Sequence, residues 1–365
     1  MKNILKKIIA QLGYQTTKKQ VIILSDDWGS VRLKSLQARE SLQNKGIKTT
    51  SSRFDTYDCL ESNKDLELLF EILSKHKDYL GNPACITAVT NVANPNFQAI
   101  KESNFTEYFF EKNTETYKRY TQSDNVHNLT KEGITEKIFI PSSHAREHVQ
   151  VNWWMNELQN ENSVARKVFN DEFFFLAQPN LLRKNINGLG AALNAIDAND
   201  FSNAKDVSKS ALQLFEEIYG FKSIHFCPPA YFYPTDINNV LEEQRVKWLD
   251  VPRLQSIPRL NKKPLKRFRY LGQKSSNGFR YLVRNAVFES NMSNNNDGVD
   301  SCLVDIQQAF DCKQPAIISN HRASFVGGIE DKNREKGLKA LDKLLAQIIK
   351  KWPDVEFISI NELGK

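Results

Sequence analysis

Two rhythms of apolar and polar positions alternate along the 365-residue chain. Short, nearly unbroken apolar runs occur at Val21–Leu24, Pro83–Val89, Ile138–Ile140, Ser223–Phe226, Val246–Val251, Ala316–Ser319 and Val355–Ile360. Such runs, bounded by turn residues, read as buried strands. Between them, apolar residues recur three and four apart, the period of a helix with one face on a core. Leu66, Leu69, Phe70 and Leu73 mark a helix over Asn63–His76, and Leu338, Leu341, Leu344, Leu345 and Ile348 mark one over Asp331–Lys351. Further helices are predicted over Ser30–Lys45, stopped by Gly46, over Val151–Leu158, and over Asp206–Tyr219, stopped by Gly220. Two more are predicted to end at Lys137 and near Gln244. The aromatic and charged stretch Phe105–Tyr120 has no readable period. Strands alternating with helices throughout predict a parallel sheet or barrel, with chemistry at the C-terminal ends of the strands.

Composition adds bounds. With 40% apolar and 25% charged residues, and no apolar run long enough to cross a bilayer, a membrane-spanning chain is excluded. No repeat or linker divides the chain, so residues 20–365 are expected to form one continuous domain. Residues 1–19 precede it as a short amphipathic extension, because Lys6, Lys7 and Gln11 break the apolar stretch and no small-residue cleavage site follows. Cys59, Cys85, Cys227, Cys302 and Cys312 are odd in number and scattered, which argues against a disulfide framework and for a reducing cytoplasm. The net charge of +7 is concentrated in residues 251–288, which hold ten Arg and Lys and no acid, leaving the rest slightly acidic. That block suits nucleic acid, anionic lipid head groups or a phosphate-bearing substrate, or is a solvated basic loop.

Chemistry-bearing residues sit at the strand ends. In VIILSDDWGSVR, Asp26 and Asp27 close the first strand. Adjacent side chains on an extended chain diverge, so one acid can hold a metal while the other faces substrate or water. The alternative is that the pair caps a helix starting near Ser30. His144 and His148, four apart in SSHAREHV, stack on one helical face or meet across a tight turn, near enough to share one ion. His321 ends a later strand. Trp153 and Trp154 can stack on a sugar ring or simply pack.

In this order, an acid pair, HxxxH, the Pro228-Pro229-Ala230-Tyr231 turn, a strand ending at Asp250 and a late strand ending in His321 resemble the polysaccharide deacetylase family. This is the NodB-homology or carbohydrate esterase family 4 group, and the match is to its larger branch among bacterial proteins. The resemblance implies a distorted (β/α) barrel with an insertion around 51–128. It implies a divalent metal, zinc first and cobalt, manganese or nickel as alternatives, on Asp27, His144 and His148. Asp26 would be the catalytic base and His321 the general acid. Ala230 and Tyr231 would bind the oxyanion, with Arg146, Trp154 and Asp250 as further substrate contacts. Cys227 stands where the family carries an arginine that holds the base, so Arg146, Arg253 or Arg322 is expected to substitute.

The implied activity is metal-dependent removal of an acetyl group, an N-acetyl amide first, from a saccharide. The basic segment extends this to sugars carried on a nucleotide or a pyrophosphate lipid. The contrasting reading is a barrel without catalysis that binds anionic saccharide or nucleic acid. A glycoside hydrolase would need two carboxylates in place of the metal, and HxxxH argues against it.

Overall fold

A computed structural model describes residues 11–175, 188–292 and 297–365. Residues 1–10 of the expected amphipathic extension lie outside the described residues. Nine strands form one sheet: β1 (Lys19–Trp28), β2 (Ile86–Thr90), β3 (Phe139–Ser143), β4 (His225–Phe226), β5 (Trp248–Asp250), β6 (Arg280–Leu282), β7 (Ala286–Val287), β8 (Ala316–His321) and β9 (Val355–Phe357). All pairings in it are parallel, in the order β6-β5-β4-β3-β2-β1-β8-β7, with β9 added beside the start of β1.

The two edges, β6 and β7, belong to one short stretch of chain. Its first half bonds to β5, and Val251 donates its N–H to the Leu282 carbonyl. Its second half bonds to β8, with Asn285 N–H to Ile317 O and Phe288 N–H to Ser319 O. Three residues between β6 and β7 reach no further than about 14 Å from Leu282 to Ala286, so the sheet must curl into a barrel whose seam this stretch spans. The architecture is the distorted (β/α) barrel that the motif order implied.

Burial on both faces explains the unbroken apolar runs. In β1, Val21 and Ile23 face outward into a core shared with the helices Asn63–Lys75, Val299–Asp311 and Asp331–Lys351, while Ile22 and Leu24 face the barrel interior beside Ile317, Leu282 and Trp248. Side chains alternate along a strand, so Asp26 continues the inward set of Ile22 and Leu24, and His321 continues that of Ile317. Register places Asp26 directly opposite His321 on neighbouring strands.

Two elements depart from the sequence reading. The helix after β1 runs only over Leu36–Asn44, because Ser35, not an acid of the pair, supplies its cap by accepting from Ala38 N–H. Strand-helix alternation breaks after β5, where an antiparallel ribbon of Leu254–Arg259 and Lys262–Phe268 stands in place of a helix. The stretch 51–128 contains β2 and the helix Asn63–Lys75 as well as a small ribbon pairing Ala93–Pro95 with Phe110–Lys112. No helix of the described residues is long and apolar enough to cross a membrane.

Candidate metal centre

The turn after β1 shapes the site. Parity alone would point Asp27 outward, but pairing with β2 slips between Ser25 and Trp28, and Asp27 takes φ 77°. A left-handed aspartate at a bulge swings its carboxylate over the strand ends. Gly29 is required next, since a Cβ there would lie 2.4 Å from the Asn91 carbonyl oxygen. Its N–H donates to Glu61 and that of Val31 to the Asn94 side chain, which pins the turn to the segments flanking β2.

His144 and His148 follow β3 in a turn, not a helix. Their Nε2 atoms lie 3.3 and 3.4 Å from Asp27 Oδ1, and the three residues offer ligand atoms all within 4.8 Å of one another. His144 Nδ1 lies 2.8 Å from the Cys227 carbonyl, which can only accept, so Nδ1 carries the proton and Nε2 presents a lone pair. Burial pushes His148 down to about 3, so its ring is neutral at ordinary pH. Burial alone would raise Asp27, but the imidazoles of His144, His148 and His321 around it hold it well below the usual carboxylate range. A buried carboxylate oxygen converging with two imidazole nitrogens fits a divalent cation of the kind that accepts N and O ligands.

Asp26 is held by Arg284. The guanidinium donates Nη1 and Nη2 to the two carboxylate oxygens at 2.8 Å each, and Nε to Asp250 at 2.7 Å. Arg284 sits in the seam-spanning stretch between β6 and β7, which is what lets one side chain reach strands on both sides. Its two carboxylates hold its proton far more tightly than burial loosens it. Asp250 in turn lies 3.7 Å from His225 Nε2, whose Nδ1 contacts Ser142 Oγ at 2.7 Å. The expected substitutes do not reach Asp26: Arg146 pairs with Glu147 and lies over Phe110, Arg322 is buried between Asp58 and Glu61, and Arg253 lies at the base of the basic ribbon.

His321 Nε2 is 3.8 Å from Asp26, and its Nδ1 is 2.6 Å from Glu289 Oε1. Glu289 is fixed by Arg53 and by Ser324 Oγ, and Phe54 meets the imidazole edge-on at 4.9 Å. Burial would lower the His321 pKa, but the Glu289 hydrogen bond and charge, with Asp26 and Asp27 behind, raise it above 6.5. A raised folded value means that protonated His321 stabilises the fold below pH 6.5 and that this contribution fades as pH rises through the folded value. In metal-free protein, the thermal midpoint difference between wild type and His321→Gln is expected to shrink above that pH. A difference flat across pH 5–9 would show that folding does not shift the His321 pKa.

A cavity of about 190 Å³ opens over these groups, lined by Asp26, Asp27, His144, His148, Ala230, Tyr231 and His321, with Arg32, Phe54, Cys227 and Pro228. Ala230 and Tyr231 both adopt positive φ, 54° and 60°, which bends the loop over the cavity. The Tyr231 N–H is spent on the Pro228 carbonyl, leaving the Ala230 amide as the oxyanion candidate of the two. Three residues expected as substrate contacts do not line the cavity. Trp154 is fully buried among Phe97, Phe169 and Phe174, Asp250 is fully buried on Arg284, and Arg146 is turned away from the cavity onto Glu147. Arg284 and Glu289 were missed because both lie outside the motifs. The one available signal was an arginine in an acid-free stretch just before the Ala286–Phe288 run.

No family model matches the chain, and no curated protein matches it. Among solved structures, a candidate glycoside hydrolase/deacetylase from Parabacteroides distasonis aligns with a TM-score of 0.52 at 6% identity, over 96% of this chain and 71% of the other. A candidate polysaccharide deacetylase from Mycobacterium smegmatis aligns at TM-score 0.43 and 10% identity, over 96% and 91%. A carbohydrate esterase family 4 pseudoenzyme from Bacillus anthracis aligns at 0.36 and 11%, over 95% and 65%. The chain thus has the fold of the glycoside hydrolase/deacetylase type, a divergent version of the barrel that its motif order resembles.

Proposed function

We propose that this protein is a metal-dependent deacetylase that hydrolyses an N-acetyl group on a saccharide, with zinc the favoured ion and cobalt, manganese or nickel able to fit the same donors. The observation that carries the reading is one cavity holding the Asp27-His144-His148 donor set beside a carboxylate and an imidazole aimed at the same space. A cation held by that set supplies Lewis-acid polarisation of the acetyl carbonyl and lowers the pKa of water from 15.7 toward ~7.

The chain's own groups supply the remainder. Asp26, its two oxygens oriented by Arg284, accepts the proton of the attacking water on a free lone pair. The Ala230 amide donates to the carbonyl oxygen as negative charge develops. His321, whose protonated form Glu289 favours, delivers a proton to the departing amine, which is a poor leaving group without one. The substrate is read as a saccharide, with a nucleotide or pyrophosphate-lipid carrier compatible with the cations of 251–288.

Asp26→Asn keeps size and the Arg284 contact in part but removes the base. Turnover of a chitooligosaccharide or aryl acetate is expected to fall about 10²–10⁴-fold with the metal content unchanged. Normal turnover in Asp26→Asn would refute the assignment of the base.

A further inference from the structure

None of the proposed catalytic steps uses the basic ribbon. Leu254–Arg259 and Lys262–Phe268 leave the C-terminal end of β5, the strand whose Asp250 anchors Arg284, and so project from the rim that carries the cavity. Its base is fixed: Gln255 is fully buried and accepts from Arg269 Nε at 2.7 Å, and Arg269 lies 3.9 Å over the Tyr281 ring. Beyond that base, the strand Lys262–Phe268 is exposed at every position but Leu265. Arg253, Arg259, Lys262, Lys263, Lys266 and Arg267 make no ion pair among the described residues, and no acid lies within residues 251–288.

Apolar side chains accompany those charges. Leu254 and Phe268 are direct cross-strand partners and are 61% and 48% exposed. At the tip, where the chain reverses through Leu260 and left-handed Asn261, Leu260 is 43% exposed in a position where turn chemistry asks for a small or polar residue. Cations alone are ordinary for a solvated loop; cations interleaved with a cross-strand apolar pair and an apolar tip are not.

We propose that this ribbon docks the cavity rim on an anionic lipid surface. The lysines and arginines meet head-group phosphates, while Leu260, Leu254 and Phe268 enter the boundary between head groups and acyl chains. Single-stranded nucleic acid is the poorer fit, since it is held by stacking on aromatic platforms, and two of these three apolar residues are aliphatic. The chain outside 251–288 carries a slight net negative charge, so the densest attraction to that surface lies in the segment that holds the ribbon. The inference is independent of the deacetylase reading.

Co-sedimentation with vesicles of phosphatidylcholine, with and without phosphatidylglycerol, tests it. The wild type is expected to bind mixed vesicles and not neutral ones. Lys262→Gln/Lys263→Gln/Lys266→Gln is expected to weaken binding on the order of 10²-fold, about fivefold for each charge near the surface. Leu260→Ser/Phe268→Ser leaves the charge unchanged and is expected to cost about tenfold from lost apolar burial. Both sets lie on exposed positions, and far-ultraviolet dichroism checks that they fold. The proposal is overturned if the wild type ignores the anionic lipid, if the apolar pair of substitutions has no effect, or if an oligonucleotide displaces the protein from the vesicles. His148→Ala should bind vesicles as the wild type does, which separates failure here from failure of the metal site.

Discussion

His148→Ala is expected to abolish stoichiometric metal and turnover together while leaving the fold intact. The residue presents Nε2 3.4 Å from Asp27 Oδ1, and its ring is already neutral, so no proton must be displaced before it donates to a cation. Removing it leaves one imidazole and one carboxylate, too few for a site that commonly uses three protein ligands. Loss of several kcal/mol of carbonyl polarisation corresponds to a fall in rate on the order of 10³-fold or more. Metal analysis of the purified variant beside the wild type reads the first effect, and hydrolysis of an N-acetylated oligosaccharide reads the second. Full metal content in His148→Ala would mean that Asp27, His144 and His148 are not the ligands. Metal content that falls while turnover persists would remove the cation from the chemistry.

Arg284→Gln carries the second large effect, and it acts on stability and turnover at once. One guanidinium, 6% exposed, neutralises two carboxylates that are themselves nearly or fully buried. Breaking such a group by removing one partner strands the remaining charges, at a cost of about 3–5 kcal/mol. Asp26 also loses the two bonds that aim its oxygens, and a misplacement of about 1 Å can lower the rate ~10²-fold. Denaturant unfolding and steady-state kinetics separate the two losses. A sharper test uses Cys227, whose Sγ lies 3.5 Å from Arg284 Nη2. If the seam arginine occupies the space that an arginine at 227 would fill, then Cys227→Arg/Arg284→Ala should recover part of both stability and rate. Recovery in neither would show that the seam position itself, and not the guanidinium, is what Asp26 needs.

Much of the barrel was legible from residue patterns because the physical causes are local. A strand buried on both faces must be apolar at successive positions, and β1, β2 and β8 were readable for that reason. The long helix Asp331–Lys351 was readable because its buried leucines recur at helical spacing. Residues 30–35 do not continue the helix expected over Ser30–Lys45, because Ser35 caps it and it begins at Leu36. Only the bulge at Asp27 and the contacts from Glu61 and Asn94 show that the chain turns there and does not coil. Trp154 was open between stacking on a sugar and packing, and three phenylalanines from distant segments decide for packing.

The candidate site divides along the same line. Asp26, Asp27, His144, His148 and His321 could be picked out from the chain alone, because metal-binding and proton-transferring side chains at the ends of apolar runs leave a local signature. Which arginine steadies Asp26, and which acid holds His321, could not. Arg284 is 258 residues from Asp26 and reaches it because the seam of the barrel is closed by the stretch that carries it. Glu289 lies 32 residues before His321 and meets it at 2.6 Å because β7 and β8 are neighbours. Sequence determined the strands, the helices and the reactive groups, whose signals reside in nearest neighbours along the chain. Tertiary structure decided the partners of those groups, since a charge buried at a strand end is satisfied by whatever the closed barrel places across from it.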